Sequence, residues 1–321
     1  MNVGQLSFAN YHWKVPRRAV CTSSAAPVPF VTGMLLRMPH ITALHIYPVK
    51  SCRGIALTQA RLTETGFEHD REWLVTTPEG RFLTQRERPL LAQVETSLTD
   101  DGLVLHKPNG SDLTLPLDMT GRELEVTVWK DRCAAFDAGD TAATWLTEHL
   151  GQPARLVRFD QRRKRPSAAE WTQGLDAFNQ FSDGFPWLLI SQASLDELNA
   201  RLQQPLPMNR FRPNIVVDGL APFGEDEVNE FVAGDVKLRV AKPCARCIIT
   251  TTDQTTGERT DEEPLKTLKE FRFDRGLRGV TFGQNMVLVS GLGNELKVGQ
   301  RFEVTWTTGS SSVGLIDRRP D

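Results

Sequence analysis

Short runs of alternating apolar and polar residues, each ended by Gly, Pro, Asp or Asn, make up most of the chain after residue 40. Runs of this kind predict short β-strands. In the first half they predict strands at Ile41–Ile46, Trp73–Thr77, Leu103–Leu105 and Leu124–Trp129. The second half begins with the apolar run Phe185–Ile190, and strands are predicted after it at Asn214–Val217, Val236–Ala241, Ile248–Thr252, Met286–Ser290 and Phe302–Trp306.

A first helix is predicted at the end of the first half, from Thr141 to about His149. Asp140 is placed to cap its first turn, because a side-chain oxygen there can accept from the free N–H groups. Gly151 follows its end, where the left-handed conformation is common. A polar connector at residues 160–182 then marks a candidate junction, and it contains the basic run Arg162-Arg163-Lys164-Arg165.

Two further helices are predicted in the second half. Ser194 and Glu197 have the spacing of a capping box, which predicts a helix start. A short helix is also predicted at Pro264–Phe271. Strands outnumber helices and no βαβ alternation is evident, which favours a β-barrel-like or α+β architecture. The sequence has no Gly-rich phosphate loop of the Walker or Rossmann type.

Composition limits the possible functions. A chain of 321 residues is long enough for two domains. Its net charge of -2 argues against a nucleic-acid binder that depends on overall positive charge. No run of about 18 apolar residues occurs, so no transmembrane helix is expected. Five cysteines are too few and too scattered for a disulfide framework, and they fit a reducing compartment.

Residues 1–37 differ from the rest because they contain no Asp or Glu and are rich in Ser, Pro and small residues. They are expected to be a disordered leader or a start codon assigned too early, with a transit segment as the alternative. The expected location is therefore cytoplasmic, or an organelle if this segment is a transit peptide. Residues 308–321 are expected to form a flexible tail.

Cys244 and Cys247 are the most informative pair in the chain. Zinc or an iron–sulfur cluster would need more ligands, and no Cys or His follows residue 247. A redox dithiol needs a helix start, whereas the β-branched residues after Cys247 predict a strand. From the residues alone, two interpretations of Cys244 and Cys247 remain. They are a pair of small core residues, or one of them is a thiolate that binds a metal whose other ligands come from a cofactor.

Six motifs in order support a family resemblance. They are Tyr47-Pro48-Val49-Lys50-Ser51-Cys52-Arg53-Gly54, Asp70-Arg71-Glu72-Trp73-Leu74-Val75, Phe211-Arg212-Pro213-Asn214-Ile215-Val216-Val217, the stretch from Lys242 to Thr251, Glu263-Pro264-Leu265-Lys266-Thr267-Leu268 and Phe282-Gly283-Gln284-Asn285. With them the chain resembles the MOSC-domain molybdenum enzymes, most of all the mitochondrial amidoxime-reducing component and its bacterial counterparts. The resemblance implies an α+β, β-rich fold, with a MOSC-associated N-terminal domain at 38–160 and a MOSC β-barrel at 161–307.

The resemblance also implies a site that holds molybdenum through a pyranopterin, the molybdopterin cofactor. The family's metal ligand is the cysteine directly after the arginine, which is Cys247, while Cys244 matches a packing position. The residues that match cofactor-pocket positions are Lys50, Ser51, Arg71, Arg212, Asn214 and Arg246. Asp183 matches an acidic residue near the metal, where it could orient substrate or relay protons.

The implied activity is reduction of N-hydroxylated compounds, such as hydroxylaminopurines and amidoximes, to amines by oxygen removal. No cysteine follows residue 247, so no iron–sulfur cluster is expected in this chain, and the electrons are expected from a separate flavoprotein or haem protein. The basic run at residues 162–165 is expected to be a solvated loop or to help dock that donor. The alternative function is that of a molybdenum-cofactor carrier or sulfur-transfer protein, in which Cys247 serves binding or transfer.

Overall fold

The four strands predicted for the first half match observed strands closely in a computed structural model that describes residues 38–307, and the same half also contains strands that were not predicted. The leader and tail predicted for residues 1–37 and 308–321 lie outside the described residues. The first half contains β1 (His40–Ile46), β2 (Ile55–Leu57), β3 (Gln59–Thr63), β4 (Gly66–Phe67), β5 (Trp73–Thr76), β6 (Glu95–Thr99), β7 (Gly102–His106), β8 (Leu113–Leu115), β9 (Glu123–Val128), β10 (Asp131–Asp137) and helix α1 (Asp140–Leu150).

The second half contains the two longest strands of residues 38–307 and three short helices. Its strands are β11 (Arg155–Phe159), β12 (Arg165–Pro166), β13 (Phe178–Asn179), β14 (Trp187–Ser191), β15 (Ile215–Asp218), β16 (Val228–Ala233), β17 (Val236–Ala245), β18 (Phe273–Asp274), β19 (Gly279–Ser290), β20 (Glu295–Lys297) and β21 (Glu303–Trp306). Its helices are α2 (Ala169–Thr172), α3 (Gln192–Asn199) and α4 (Leu265–Phe271), and 3-10 turns lie at Pro89–Gln93, Met208–Arg210, Gly224–Asp226 and Ile248–Thr251. Within residues 38–307, no helix combines the length and apolarity needed to cross a membrane.

One large sheet organises the second half and reaches back to β1 and β2. Its strand order is β2-β1-β15-β14-β19-β17-β16-β21, with β18 paired to β19. The predicted β-rich architecture with few helices is confirmed, although the order has two ends and the pairing does not close into a barrel. Near those ends His40 forms an isolated bridge with Arg301. Smaller sheets have the orders β5-β11-β10-β9, β20-β3-β4, β6-β7-β8 and β12-β13. The described residues belong to one compact unit, and the boundary at residues 160 and 161 stays a prediction.

The expectation of no βαβ unit is wrong at one place. Strands β14 and β15 pair in parallel, with Leu189 opposite Ile215, and helix α3 lies in the connection between them. A parallel pair requires a crossover of this length, because a tight turn can join only antiparallel neighbours. Every other pairing of the large sheet is antiparallel.

Strand β14 is buried on both faces, which explains its unbroken apolar sequence. Trp187 and Leu189 pack into the core inside the large sheet. Leu188 and Ile190 point to a second core formed with α3 and α4, where they meet Leu198. Each of these fully buried side chains contributes roughly 1.5–3 kcal/mol of hydrophobic stabilisation. A strand covered on both sides shows a continuous apolar run instead of alternation.

The close approach of strands β14 and β19 explains the glycine at position 283. Gly283 of β19 has φ +79, and a Cβ there would lie 2.7 Å from the carbonyl oxygen of Leu189 and 2.6 Å from Cγ1 of Ile190. Both the backbone conformation and the space exclude a side chain. The glycine of the sequence Phe282-Gly283-Gln284-Asn285 therefore has a packing role.

The helix ends show which capping predictions hold. Gly151 adopts the left-handed conformation after α1, as predicted, with φ 65. Asp140 is not the cap of α1, because the helix already includes it and Gly139 occupies the N-cap position. The Asp140 carboxylate instead accepts a hydrogen bond from Arg155 at 3.0 Å.

The predicted capping box at the start of α3 is also wrong. The helix begins at Gln192, so Ser194 lies inside its first turn. The fully buried Ser194 hydroxyl donates to Glu225 at 2.6 Å and accepts from the backbone N–H of Phe223 at 2.8 Å. Burial raises the pKa of Glu225, whereas its hydrogen bonds from Ser194 and the backbone act in the opposite direction. Ser194 therefore joins α3 to the 3-10 turn at Gly224–Asp226.

This geometry predicts different costs for Ser194→Ala and Glu197→Gln. Ser194→Ala removes one hydrogen bond to the buried Glu225 carboxylate and one from the backbone N–H of Phe223, so the free energy of unfolding should fall by about 1–3 kcal/mol. Glu197 pairs with Arg201 on the surface, so Glu197→Gln should change it by less than about 0.5 kcal/mol. Urea denaturation of the three proteins measures both effects. Equal costs for the two substitutions would instead support the capping box.

Candidate functional site

All eight side chains predicted for the site line one cavity. Its empty volume is about 830 Å³, including open solvent at its mouth. The predicted residues that line it are Lys50, Ser51, Arg71, Asp183, Arg212, Asn214, Arg246 and Cys247. Other lining residues include Arg86, Phe185, Trp187 and Cys244. Residues that are up to about 200 positions apart in sequence therefore share one surface.

The ring of Tyr47 supports two arginines of the cavity. Cζ of Arg71 and Cζ of Arg212 each lie 4.2 Å from the ring centroid, within the range of cation–π contact. The Tyr47 hydroxyl donates to the carbonyl of Pro213 at 3.0 Å. The ring also needs the glycine at position 54, because a Cβ on Gly54 would lie 2.5 Å from it. The first motif thus provides the support for both guanidinium groups.

Asn214 fixes the guanidinium of Arg71. Arg71 Nη1 donates to Asp70 Oδ2 at 2.5 Å and to Asn214 Oδ1 at 2.9 Å. The same Asn214 oxygen accepts from the backbone N–H of Leu188 at 3.2 Å, and Asn214 Nδ2 donates to the carbonyl of His45 at 3.1 Å. The amide of Asn214 is therefore engaged within the protein, and its contribution to the site is to position Arg71.

Three of the predicted site residues have left-handed backbone conformations. The φ values are 71 for Ser51, 51 for Arg71 and 55 for Arg212. This region is uncommon for residues other than glycine, and each such residue costs about 1–3 kcal/mol unless its surroundings enforce it. Strain of this kind concentrates at binding and catalytic sites. Its occurrence at three cavity residues supports a functional role for the cavity.

The cavity carries more positive than negative charge. Its lining includes one carboxylate, Asp183, and five cations, namely Lys50, Arg71, Arg86, Arg212 and Arg246. Burial lowers the pKa of Arg212 to about 10, which leaves it charged at neutral pH. Burial also lowers the pKa of Lys50, although Asp183 acts in the opposite direction. A bound anion would offset the cost of keeping these cations away from water.

Asp183 is the centre of a polar network at the cavity wall. Lys50 Nζ donates to Asp183 Oδ1 at 2.6 Å and Trp129 Nε1 donates to the same oxygen at 3.1 Å. Arg86 Nη2 lies 3.9 Å from Asp183 Oδ2. Desolvation raises the pKa of Asp183, but Lys50 and Arg86 outweigh it, so the pKa lies well below its usual range. The side chain stays 58% exposed, so a ligand in the cavity can reach the carboxylate.

The residues after Cys247 do not form the predicted strand. Strand β17 ends at Ala245, and Ile248–Thr251 form a 3-10 turn with Cys247 at its N-cap position. The Thr250 hydroxyl donates to the carbonyl of Cys247 at 3.0 Å, and the Thr251 hydroxyl donates to that of Ile248 at 2.8 Å. These local bonds favour a turn over a ladder. The predicted strand, which was the evidence against a redox dithiol at the start of a helix, is therefore absent.

Arg246 contacts the first cysteine of the pair. Its Nη1 donates to Cys244 Sγ at 2.9 Å and its Nη2 donates to the carbonyl of Phe211 at 2.6 Å. Cys244 packs against the core of α3 and α4, as predicted for a packing residue, but its side chain also lines the cavity.

Arg86, Arg259 and Trp129 were missed by the sequence reasoning. Arg259 is held by the Thr252 hydroxyl at 2.8 Å and by the carbonyl of Arg86 at 3.1 Å. Burial lowers the pKa of Arg259, and the neighbouring Cys247 acts in the opposite direction. Arg86 and Arg259 lie in polar loops without a motif, and Trp129 was predicted as the last residue of a strand. No spacing rule connects them to Cys247.

The basic run at residues 162–165 is divided between two environments. Arg162 pairs with Asp160 and is 64% exposed. Arg165 is buried, where it pairs with Asp131 and donates to the carbonyl of Ser182 at 2.7 Å. Arg165 therefore supports the segment that carries Asp183. Docking of an electron donor by the exposed part of the run stays a prediction.

The residues present fit a large anionic cofactor. Three buried donors of cavity residues have no partner among residues 38–307, namely Arg86 Nη1, Trp187 Nε1 and Arg246 Nε. Arginine binds phosphate well because its N–H groups match the oxygen geometry. Within the same residues no group of three or more His, Cys, Asp or Glu could hold a metal ion. A metal at Cys247 would therefore need ligands from a cofactor.

Two family models match successive parts of the chain. Residues 38–153 match the MOSC N-terminal beta barrel domain, and residues 176–303 match the MOSC domain. Lys50, Arg71 and Arg86 lie in the first match, while Asp183, Arg212 and Cys247 lie in the second. The cavity is therefore built by both.

Comparison with characterised relatives extends this match over most of the chain. Mitochondrial amidoxime-reducing component 1 of Homo sapiens is 37% identical in a 271-residue alignment that covers 79% of this chain and 80% of that protein. Its counterpart in Mus musculus is 36% identical, over 72% of this chain and 71% of that protein. Mitochondrial amidoxime reducing component 2 of Bos taurus is 37% identical, over 72% of each. The chain therefore belongs to the MOSC-domain family that includes the mitochondrial amidoxime-reducing components.

Proposed function

We propose that this protein is a molybdenum-cofactor-dependent reductase of N-hydroxylated compounds such as amidoximes and hydroxylaminopurines. The observation that carries the proposal is the convergence of Cys247, five cations and Asp183 on one cavity. Relatives over most of the chain are named for amidoxime reduction. In the proposed reaction the N–O bond breaks, two electrons and two protons are taken up, and the products are an amine or amidine and water.

The cofactor would be held by residues of both family modules. Cys247 would ligate the metal, since a soft thiolate suits such an ion. Arg71 and Arg212 would bind the phosphate and pterin oxygens, because their guanidinium groups are already fixed on Tyr47. The bound cofactor would supply the two-electron chemistry, while the protein supplies orientation and electrostatics.

Lys50 and Asp183 would handle substrate orientation and protons. Asp183 has a lowered pKa, so it is ionised at neutral pH and suits the role of hydrogen-bond acceptor for the substrate N–H or O–H. Lys50 has a pKa lowered by burial and contacts Asp183 at 2.6 Å. A buried lysine with a pKa nearer the working pH is the better proton donor of the two. The electrons would come from a separate protein, a flavoprotein or a haem protein.

Cys247→Ala should abolish reduction of benzamidoxime, whereas Cys244→Ala should retain most of it. Loss of a metal ligand should lower kcat by at least about 100-fold, since even the supporting partners of metal ligands account for 10–100-fold. Cys244 contacts Arg246 but ligates nothing in this proposal, so its replacement should cost less than about fivefold. The assay uses metal-loaded protein with a reduced dye as electron source.

The same preparations test the alternative function. Protein that binds the pterin but reduces neither benzamidoxime nor 6-hydroxylaminopurine would indicate a cofactor carrier. Stoichiometric zinc without molybdenum, measured by elemental analysis, would contradict both functions. Equal activity in the two cysteine variants would contradict the assignment of Cys247 as the ligand.

Arg212→Lys should lower cofactor occupancy although it keeps the charge. Lysine cannot reproduce the contact with Tyr47 together with the bond from Arg212 Nη1 to the carbonyl of Cys52 at 2.7 Å. We expect the pterin affinity to fall by about tenfold or more, which corresponds to the loss of one charge-assisted hydrogen bond. Fluorescence of the oxidised pterin released from purified protein measures the content. Arg132→Lys, at a residue with 77% exposure, is the control and should retain full content.

Asp183→Asn should shift the pH dependence of activity. The charge of Asp183 raises the pKa of Lys50, so its removal lowers that pKa further. If protonated Lys50 supplies a proton, activity is present below its pKa and lost above it. The alkaline limb of kcat/KM should therefore move to lower pH, by the roughly 1–3 units typical of a nearby charge. Asp235→Asn on an exposed loop is the control, and an unmoved limb in Asp183→Asn would exclude Lys50 as donor.

A further inference from the structure

Trp129 occupies a turn position that disfavours a large side chain. Val128 pairs with Asp131 across β9 and β10, so Trp129 and Lys130 alone form the hairpin turn. The φ of Trp129 is 56. Positive φ at this position of a two-residue hairpin turn is normally supplied by Gly, Asn or Asp. Tryptophan is therefore an unfavourable residue for this turn, which indicates that its indole ring has a functional role.

Three contacts fix the indole against residues of the cavity wall. Its Nε1 donates to Asp183 at 3.1 Å. The guanidinium carbon of Arg86 lies 4.5 Å from the ring centroid. The ring of Phe82 approaches edge-on, with centroids 5.0 Å apart at 63°. Since Asp183 and Arg86 both line the cavity, the indole is held at its rim in a defined orientation.

The indole remains accessible although it is fixed. Trp129 is 46% exposed, whereas Trp73 and Trp187 are each 1% exposed in the cores. The accessible surface cannot be explained by packing, because the three contacts leave almost half of the residue open to solvent. An ordered, exposed aromatic surface beside a cavity is a typical feature of ligand sites.

We propose that Trp129 is a specificity residue whose exposed surface binds the planar, π-conjugated part of an N-hydroxylated substrate. The inference rests on the proposed function and adds the substrate class to it. The N–O group of such a substrate reaches into the cavity beside Asp183, while its ring system lies on the indole. Aromatic substrates gain this contact by offset stacking, and aliphatic substrates with the same reacting group do not.

The test compares benzamidoxime with acetamidoxime, which differ only in the group attached to the amidoxime carbon. Trp129→Asn removes the ring and suits the left-handed backbone, so it should fold. It should raise KM for benzamidoxime about tenfold, the size of one aromatic contact. KM for acetamidoxime should change by less than about twofold, because that substrate makes no stacking contact.

Two further variants separate the ring from its other roles. Trp129→Phe keeps an aromatic surface but loses the N–H to Asp183, so it should retain the preference for benzamidoxime. Phe273→Leu replaces another exposed aromatic residue, 49% exposed and outside the cavity lining, and should leave both KM values unchanged. Equal changes for the two substrates in Trp129→Asn would overturn the proposal, and so would an unchanged preference.

Equilibrium binding distinguishes this proposal from the proposed function. Calorimetric titration of cofactor-loaded protein with each amidoxime, without an electron source, requires no turnover. If no reduction occurs but benzamidoxime binds more tightly than acetamidoxime and Trp129→Asn removes the difference, the proposed activity fails and the aromatic site stands. If both are reduced but bind equally well to wild-type protein, the aromatic site fails alone. Wild-type protein that binds neither compound would also overturn it.

Discussion

The burial of several cations around one cavity is the constraint on which the site depends. Arg212 and Lys50 lie in surroundings that lower their pKa, and Arg246 and Arg86 each keep one buried N–H that has no partner among residues 38–307. An uncompensated buried charge is costly. The support from Tyr47, the carboxylate of Asp183 and the backbone carbonyls reduces that cost without neutralising it. The arrangement is therefore stable enough to fold and still suited to an anion, which would complete the missing interactions.

The site draws on residues from both halves of the chain. The support for the guanidinium groups comes from Tyr47, while Cys247 follows β17. A reciprocal pair of amides joins the two parts: Gln85 Nε2 donates to Gln254 Oε1 at 2.9 Å and Gln254 Nε2 returns a bond to Gln85 Oε1 at 3.0 Å. Gln85 also donates to the carbonyl of Ser51 at 2.7 Å. A shift between the parts would disturb these buried bonds and the cavity together, so the two modules act as one unit.

Sequence patterns predicted a strand correctly where apolar and polar residues alternate or form an unbroken apolar run. They failed where local hydrogen bonds compete with that rule. The β-branched residues after Cys247 have high strand propensity, yet Thr250 and Thr251 bond to carbonyls three residues before them. Strand propensity reflects the neighbours of a strand more than the backbone itself. The Ser194–Glu197 spacing failed for a related reason, because the partner of Ser194 is Glu225, which no spacing rule could identify.

For the site, motif matches located the residues but not their interactions. Arg246 and Cys247 are adjacent in sequence, yet the guanidinium of Arg246 donates to Cys244 Sγ at 2.9 Å and to the carbonyl of Phe211 at 2.6 Å. The left-handed backbone conformations at the site were also not predictable from the motifs. Nothing in the sequence marks Arg71 or Arg212 as unusual, but in the structure each has a positive φ, which is unfavourable for residues other than glycine. Such strain persists only where neighbouring residues enforce it. The motif residues around Arg71 and Arg212 therefore serve to hold these two arginines in their strained conformations.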